Sequence, residues 1–319
     1  MPQDPQVLDF IAQSQSFYPA DAFLGSVQQS RAWYDRYAAQ LAQPLPSELA
    51  TEDFWLPPAA HGHALAARRY RHMTHQTRAG TTVLYVHGGG FVLGGLQSHA
   101  DVCAGLCQRT GLDVVACTYR LAPEHVHPTQ LDDVASAYDA LVAQGERVLL
   151  CGDSAGANLV AGLCIRRQSR GAAPAMGQVL IYPGLGGDNT QGSYISNAHA
   201  PMLTTEECAY YFSVRSEGLE PAQRDAPELR PLLAPSLSGM PPTLVVTADL
   251  DPLRDDGLHY ARRLQDCGVP VRLRNERELV HGYLRARHMS WRAAASFEAI
   301  ARALMQMADG AFGAAPAMA

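Results

Sequence analysis

The chain has 319 residues, of which 47% are hydrophobic and 18% charged, a composition that supports a large buried core and excludes a disordered or fibrous protein. Lys and Arg number 25 against 31 Asp and Glu, which gives a net charge of -6. No dense basic cluster occurs, so the sequence argues against nucleic acid as a partner. No run of about 18 apolar residues is present, so no membrane span is expected.

The cysteines and the N-terminal residues indicate in which cellular compartment the protein is expected. Seven cysteines is an odd number, and most lie within apolar stretches, which favours free thiols over a disulfide framework. The first ten residues show neither the basic region nor the apolar run of a secretory signal. Together these features predict a cytoplasmic location. Cys103 and Cys107 have helical spacing, and His-x-His pairs occur at 61–63 and 125–127, but no companion ligands stand nearby, so no metal site is predicted.

Taken in chain order, the predicted elements alternate between strands and helices. Residues 1–50 are predicted to be helical, and an antiparallel strand pair is predicted within 51–72. Six apolar runs of strand length then begin near positions 81, 113, 147, 178, 241 and 269, separated by segments of helical period. Continuous apolar runs are typical of parallel strands covered on both faces, so the pattern predicts an α/β fold. Residues 186–225 are too long for an ordinary connection and predict a lid or binding element.

The first chemical motif is Gly-Asp-Ser-Ala-Gly at 152–156, between a predicted strand and a predicted helix. This pattern is typical of a nucleophile elbow, in which a tight turn holds the hydroxyl of Ser154 above the sheet at a helix N-terminus. The same letters also occur in Gly-rich strand-to-helix turns that have no catalytic role. Further motifs are therefore needed to decide whether Ser154 is catalytic.

The second motif is His-Gly-Gly-Gly-Phe at 87–91, directly after a predicted strand. Acyl transfer places negative charge on the former carbonyl oxygen, and the backbone N–H groups of a Gly-rich loop can approach that oxygen closely. Gly88 and Gly89 would donate from this loop, and Ala155 would complete the oxyanion hole. His87 is expected to hold the loop by hydrogen bonding rather than to act as a base.

A nucleophilic serine needs a base, and the base needs an orienting carboxylate. Asp251 follows one predicted strand and His281 follows the next, at the strand ends where sites of open α/β sheets form. Asp249 is an alternative orienting residue. Asp255 and Asp256 are expected to begin the following helix, where carboxylates complement the helix dipole.

With these motifs assembled, the chain resembles the hormone-sensitive lipase family of α/β hydrolases, and within it the bacterial acetyl esterases and short-chain carboxylesterases. The resemblance extends from about residue 50 to the C-terminus. Ala157 stands where many members have Gly, and Tyr283 where Phe is usual, but neither departure removes a catalytic group. The matching motifs are HGGGF at 87–91, YRLAPEH at 119–125, GDSAGAN at 152–158, DPLRDDG at 251–257 and HGY at 281–283.

The resemblance implies an α/β-hydrolase fold, with a mostly parallel eight-stranded sheet, helices on both faces and a helical cap, in one domain over residues 1–319. The cap would comprise residues 1–50 and 186–225, and the catalytic core residues 51–185 and 226–312. The implied catalytic residues are Ser154 as nucleophile, Asp251 as acid and His281 as base. The implied oxyanion donors are Gly88, Gly89 and Ala155, with His87, Gly90 and Asp153 as supporting residues.

The predicted function is that of a serine carboxylesterase that hydrolyses acetyl to butyryl esters through an acyl-enzyme, without a cofactor or metal. Its expected partner is a small-molecule ester, and a homodimer is the default expectation for its oligomeric state. An amidase such as an arylformamidase, or a lactonase, is an alternative because the same triad serves those bonds. A non-catalytic ligand binder is another, since the family includes a plant hormone receptor that has lost its base. The predicted cap offers nine side chains for a small apolar pocket: Phe17, Tyr18, Trp33, Tyr34, Tyr194, Met202, Leu203, Tyr211 and Phe212.

Overall fold

The computed structural model describes residues 2–19, 21–57, 63–74 and 80–313, and its central feature is one eight-stranded sheet. The strand order is β1-β2-β4-β3-β5-β6-β7-β8. β1 pairs antiparallel with β2 and β2 with β4, while all other neighbours are parallel. The predicted α/β-hydrolase sheet is therefore confirmed. The strands are β1 Leu49–Leu56, β2 Leu65–His72, β3 Thr81–Val86, β4 Asp113–Cys117, β5 Arg147–Asp153, β6 Gln178–Ile181, β7 Thr243–Leu250 and β8 Val271–Val280.

Helices cover both faces of this sheet. The α-helices are α1 Pro5–Phe17, α2 Val27–Leu41, α3 Ala100–Thr110, α4 Thr129–Ala143, α5 Ala155–Ser169, α6 Ser193–Ser196, α7 Thr205–Arg215, α8 Pro221–Arg224, α9 Arg254–Asp266 and α10 Trp291–Ala308. Short 3-10 helices span Ala22–Leu24, Pro231–Leu233 and Tyr283–His288. Within the described ranges, no helix combines the length and apolar character that crossing a membrane requires.

The apolar strand runs are explained by two separate cores. All six residues of β3 are buried. Val83 and Tyr85 pack on one face with α3 and α10, whereas Leu84 and Val86 pack on the other with α4, α5 and α9. Because successive side chains of a strand point to opposite faces, a strand covered on both sides must be apolar throughout.

The two regions outside the βα pattern meet above the carboxyl ends of the strands. α1 and α2 begin at side-chain caps, with Asp4 accepting from the Gln6 amide and Ser26 from the Gln29 amide. The long segment between β6 and β7 carries α6, α7 and α8. Side chains from the N-terminal region (Tyr18, Val27, Tyr34) and from α7 (Tyr211, Val214) pack on one cluster formed by Val92, Leu93 and Ala122.

Candidate active site

Ser154 stands at the turn between β5 and α5 in a strained backbone conformation. Its φ is 51° and its ψ is -118°, values that cost a non-glycine residue about 1–3 kcal/mol. Its amide donates to the Ile181 carbonyl at 2.8 Å, which fixes the turn on β6. A Cβ at Gly156 would lie 2.0 Å from the Val86 carbonyl oxygen, so this position admits no side chain. The last glycine of the Gly-Asp-Ser-Ala-Gly motif is therefore required because α5 packs closely on the end of β3.

Ser154, His281 and Asp251 form one continuous hydrogen-bonded chain. Nε2 of His281 lies 2.9 Å from Oγ of Ser154, and Nδ1 lies 2.7 Å from Oδ2 of Asp251. Asp251 is fully buried, and its Oδ1 accepts from the Leu253 amide at 2.8 Å. Asn197, from the segment between β6 and β7, donates to the Asp251 carbonyl oxygen at 3.1 Å. The backbone of Asp251 is thus fixed by Asn197 and its carboxylate by the Leu253 amide, with the second carboxylate oxygen facing the imidazole.

Asp249, the alternative orienting residue, lies outside this chain. Its Oδ1 accepts from Asn275 Nδ2 at 3.2 Å, and its Oδ2 lies 3.5 Å from the Glu278 amide. Both contacts are to β8, next to the irregular pairing between β7 and β8. The geometry therefore favours Asp251 over Asp249 as the partner of His281.

The amides facing Ser154 differ from the predicted set at one position. The Gly88 amide donates to Oδ1 of Asp153 at 2.9 Å, so it is occupied and cannot donate to a ligand. The amides of Gly89 and Gly90 find no acceptor among the described residues, and both residues line the cavity above Ser154. The Ala155 amide is in the first turn of α5, where no intrahelical acceptor exists. The structure therefore does not support Gly88 as a donor to a ligand, whereas the amides of Gly89, Gly90 and Ala155 are available for that role.

Asp153 supports this loop from below. Its buried carboxylate accepts from Tyr85 Oη at 2.8 Å and from Tyr182 Oη at 3.3 Å, and His99 Nε2 lies 3.5 Å away. Burial alone would raise the pKa of Asp153, but the adjacent His99 and the Tyr85 hydroxyl lower that pKa below its usual value. The carboxylate is consequently charged at neutral pH and anchors the Gly88 amide through a charge-assisted hydrogen bond.

His87 contacts the Gly-rich loop and not the nucleophile. Its Nδ1 lies 2.8 Å from the Gly88 carbonyl oxygen, and its ring stacks on Tyr119 at 4.3 Å between centroids. Burial, with a contribution from His99, lowers the pKa of His87 to about 4. The imidazole is therefore neutral at physiological pH and packs beneath the loop.

A cavity of about 660 Å³ opens above Ser154 and His281. Leu229 and Arg230 also line it, so the segment after β6 contributes residues beyond the predicted limit of 225. Phe17 and Trp33 do not line it. Seven of the nine side chains proposed from sequence do: Tyr18, Tyr34, Tyr194, Met202, Leu203, Tyr211 and Phe212.

Sequence reasoning assigned no role to three polar residues of the site, two of which line the cavity while Asn197 contacts the Asp251 backbone. Arg215 ends α7, lines the cavity and donates through Nη1 to Oδ1 of Asn158 at 2.7 Å. Asn158 also donates to the carbonyls of Gly184 and Leu229. Asn158 ends the GDSAGAN motif and is a polar residue in the apolar first half of α5, and this is the signal that could have identified it. No local pattern marks Arg215 or Asn197, because both act across long sequence separations.

Potential metal ligands are dispersed through the structure. No group of three or more His, Cys, Asp or Glu side chains with metal-binding geometry occurs among the described residues. His61 lies outside those residues, whereas His127, expected in a surface or loop setting, is in a loop but buried.

Comparisons with known proteins agree with this geometry. A family model described as alpha/beta hydrolase fold matches residues 83–285, more than half of the chain. The chain is similar to the esterase LipI of Mycobacterium tuberculosis, with 36% identity over 63% of this chain and 65% of LipI. It is also similar to an ethyl acetate hydrolase of Pseudomonas putida, with 36% identity over 70% of this chain and 73% of that protein.

Among solved structures, an esterase from the bacterial hormone-sensitive lipase family superposes with a TM-score of 0.85 at 24% identity, covering 97% of this chain and all of that one. At 24% identity this structural similarity supports a shared fold only. The match to LipI spans slightly less than two thirds of LipI's own length.

Proposed function

The chain belongs to the α/β-hydrolase fold family, and from this premise we propose that it is a serine carboxylesterase acting on acetyl to butyryl esters through an acyl-enzyme intermediate. The observation that carries the proposal is the hydrogen-bonded chain from Asp251 through His281 to Ser154, which opens into the cavity. The esterase names of the similar proteins, including the ethyl acetate hydrolase, support an ester of small size as the substrate.

In the acylation step, Ser154 Oγ attacks the ester carbonyl while Nε2 of His281 accepts its proton. The imidazole becomes positively charged, and Asp251 stabilises that charge through Nδ1. The amides of Gly89, Gly90 and Ala155 donate to the oxyanion that forms. His281 then gives its proton to the departing alcohol.

In the deacylation step, water attacks the acyl group bound to Ser154. His281 removes a proton from this water, and the same three amides stabilise the second oxyanion. The bond to Ser154 Oγ breaks, Oγ regains a proton from His281, and the carboxylic acid leaves. Apart from the ester and water, residues of this chain are assigned to every role in these steps.

We assign the cap role to residues 1–50 and the segment after β6, predicted as 186–225, within one domain whose catalytic core is 51–185 and 226–312. Support comes from the side chains of both regions that line the cavity. The aromatic side chains of α2 and α7 would limit the length of the acyl chain that the cavity accepts.

Ser154→Ala tests the function directly. We expect the hydrolysis of para-nitrophenyl acetate to fall by about 10⁴- to 10⁶-fold, because the nucleophile is lost. Ser136→Ala, which removes a hydroxyl bonded within α4, is the matched control and should retain activity. A fluorophosphonate should label Ser154 in the unmodified chain. Retained turnover in Ser154→Ala, or a rate maximum at palmitate in a series from acetate to palmitate, would contradict the proposal.

Location and assembly complete the proposal. A cytoplasmic, reducing compartment is supported by the seven cysteines, all of them unpaired and five of them buried. A homodimer is supported by the open edge of β8, where Leu273 is exposed. Cell fractionation tests the location, and recovery from an oxidising compartment would contradict it. Light scattering of the purified chain tests the homodimer, and a monomeric mass would contradict it.

A further inference from the structure

Arg215 lines the cavity and carries two donors that no acceptor among the described residues satisfies. The residue is 1% exposed, and its Nη1 donates to Asn158, but its Nε and Nη2 are buried without any hydrogen-bond partner. No carboxylate pairs with this guanidinium within the part of the chain that the structure describes. Both nitrogens are out of contact with solvent, so water does not replace the missing acceptor.

The other two arginines that line the cavity are better satisfied. Arg230 donates to the Gly186 carbonyl through Nε and Nη2 and pairs with Asp225 through Nη1. Arg285 donates to the Ser98 carbonyl and to the Tyr34 hydroxyl. Arg215 is therefore the cavity arginine whose bonding capacity is least used among the described residues.

The charge of Arg215 is only partly compensated. Its guanidinium carbon lies 3.8 Å from the centroid of the Phe91 ring, a cation–π contact. Burial lowers the pKa of Arg215 to about 9, so the side chain still carries its charge at neutral pH. Glu207 is eight residues earlier in α7, about 12 Å away along the helix, and its Oε2 is bonded to Thr204. Glu207 therefore does not neutralise Arg215.

The unpartnered edge has the shape that a carboxylate recognises. Nε and Nη2 lie along one edge of the planar guanidinium, where two parallel N–H groups can donate to the two oxygens of one carboxylate. Because the edge is covered in this conformation, a rotation of the Arg215 side chain towards the cavity must accompany binding. A bound carboxylate would then satisfy both donors at once.

The contacts of Arg215 indicate which part of an ester it would meet. Its neighbours are Phe91, next to the oxyanion loop, and Asn158, one turn along α5 from Ser154. The alcohol leaves on the side of His281, which protonates it. Among the contacts of the described residues none joins Arg215 to His281, which favours the acyl side of the ester over the alcohol side as the part that Arg215 meets.

Building on the esterase function proposed above, we propose that Arg215 is a specificity residue for a carboxylate on the acyl group, and that monoesters of short dicarboxylic acids are the preferred substrates. For monoethyl succinate, water cleaves the acyl–oxygen bond to give succinate and ethanol. The distal carboxylate takes no part in bond breaking and is held by Arg215 throughout.

The test compares two substrates of similar shape. Monoethyl succinate carries a carboxylate where ethyl isocaproate carries an isopropyl group, so the ratio of their kcat/KM values measures recognition of charge. We expect Arg215→Met to lower this ratio by about 10- to 100-fold, the effect of losing hydrogen bonds to a charged group. Arg215→Lys should restore part of the ratio, since it keeps the charge but loses the planar pair of donors. Arg167→Met is the matched control, because Arg167 pairs with Asp139 and is not among the residues that line the cavity, and we expect the ratio to stay unchanged.

The outcomes separate this inference from the esterase function itself. A ratio that Arg215→Met leaves unchanged, or an unmodified protein that prefers ethyl isocaproate, overturns the role of Arg215 while esterase activity stands. If neither ester is hydrolysed and fluorophosphonate does not label Ser154, the proposed function itself fails. Should Arg215→Met not fold, competitive inhibition of the unmodified protein decides: succinate should inhibit more strongly than butyrate, and equal inhibition would overturn the inference.

Discussion

One buried carboxylate, that of Asp153, positions the loop that would stabilise the oxyanion. It accepts from the Gly88 amide and from Tyr85, and its pKa is lowered in the folded state. Stability from a carboxyl with a lowered pKa is present above its unfolded pKa, about 3.9, and is lost as the pH falls through the folded value. We expect Asp153→Asn to reduce the free energy of unfolding by about 2 kcal/mol at pH 7, because charge-assisted bonds become neutral ones.

The same variant should show a smaller deficit in acid. Below about pH 4 the unmodified protein begins to lose the contribution of Asp153, so the two urea unfolding curves should converge. Asp139→Asn, at an exposed carboxylate paired with Arg167, is the control and should change stability by less than about 1 kcal/mol. A deficit that is the same at pH 7 and pH 3.5 would show that charge on Asp153 is not the cause.

Helix α7 packs closely on the oxyanion loop at Gly90. Gly90 has a φ of 61°, and a Cβ there would lie 2.4 Å from the ring of Tyr211. Gly90→Ala must therefore displace either the loop or the helix, and we expect kcat/KM for short esters to fall at least about tenfold, equivalent to about 1.4 kcal/mol. Steady-state kinetics of the purified variant measures this loss.

A second substitution shows whether the helix contact is responsible. Tyr211→Ala removes the ring, so the double variant should lose less activity than the two single losses added together, by at least about 0.5 kcal/mol. Gly95→Ala is the matched control in the same loop region, since nothing lies within 4 Å of its added Cβ. Strictly additive losses would mean that backbone strain at Gly90, and not contact with α7, accounts for the effect.

Over the whole molecule, local sequence patterns predicted the sheet and the residues at its strand ends. The β3 and β5 runs are apolar because both faces of the sheet are covered, and Ser154, Asp251 and His281 follow strands that end at one edge. What local patterns left open depends on contacts between distant segments. The choice between Gly88 and Gly90 as donor depends on where the side chain of Asp153 points. The donors of Arg215 depend on how α7 lies over α5.

Hydrogen bonds from Asp256 join α9 to the segment after β6. The pH dependence of stability that arises from Asp256 has the opposite sign to the one that arises from Asp153. Asp256 accepts from the amides of Leu185 and Gly187 and from the Tyr194 hydroxyl, yet its burial raises its pKa to about 6. Between about pH 4 and pH 6 the folded chain binds this proton more tightly than the unfolded chain, so stability falls as the pH rises through that window and is constant above it. A shift of this size corresponds to about 3 kcal/mol. Asp256→Asn removes the titration, so urea unfolding at pH 4, 5, 6 and 7 should show the variant gaining on the unmodified protein by about that amount as the pH rises. Two parallel curves would mean that Asp256 does not carry this proton in the folded state.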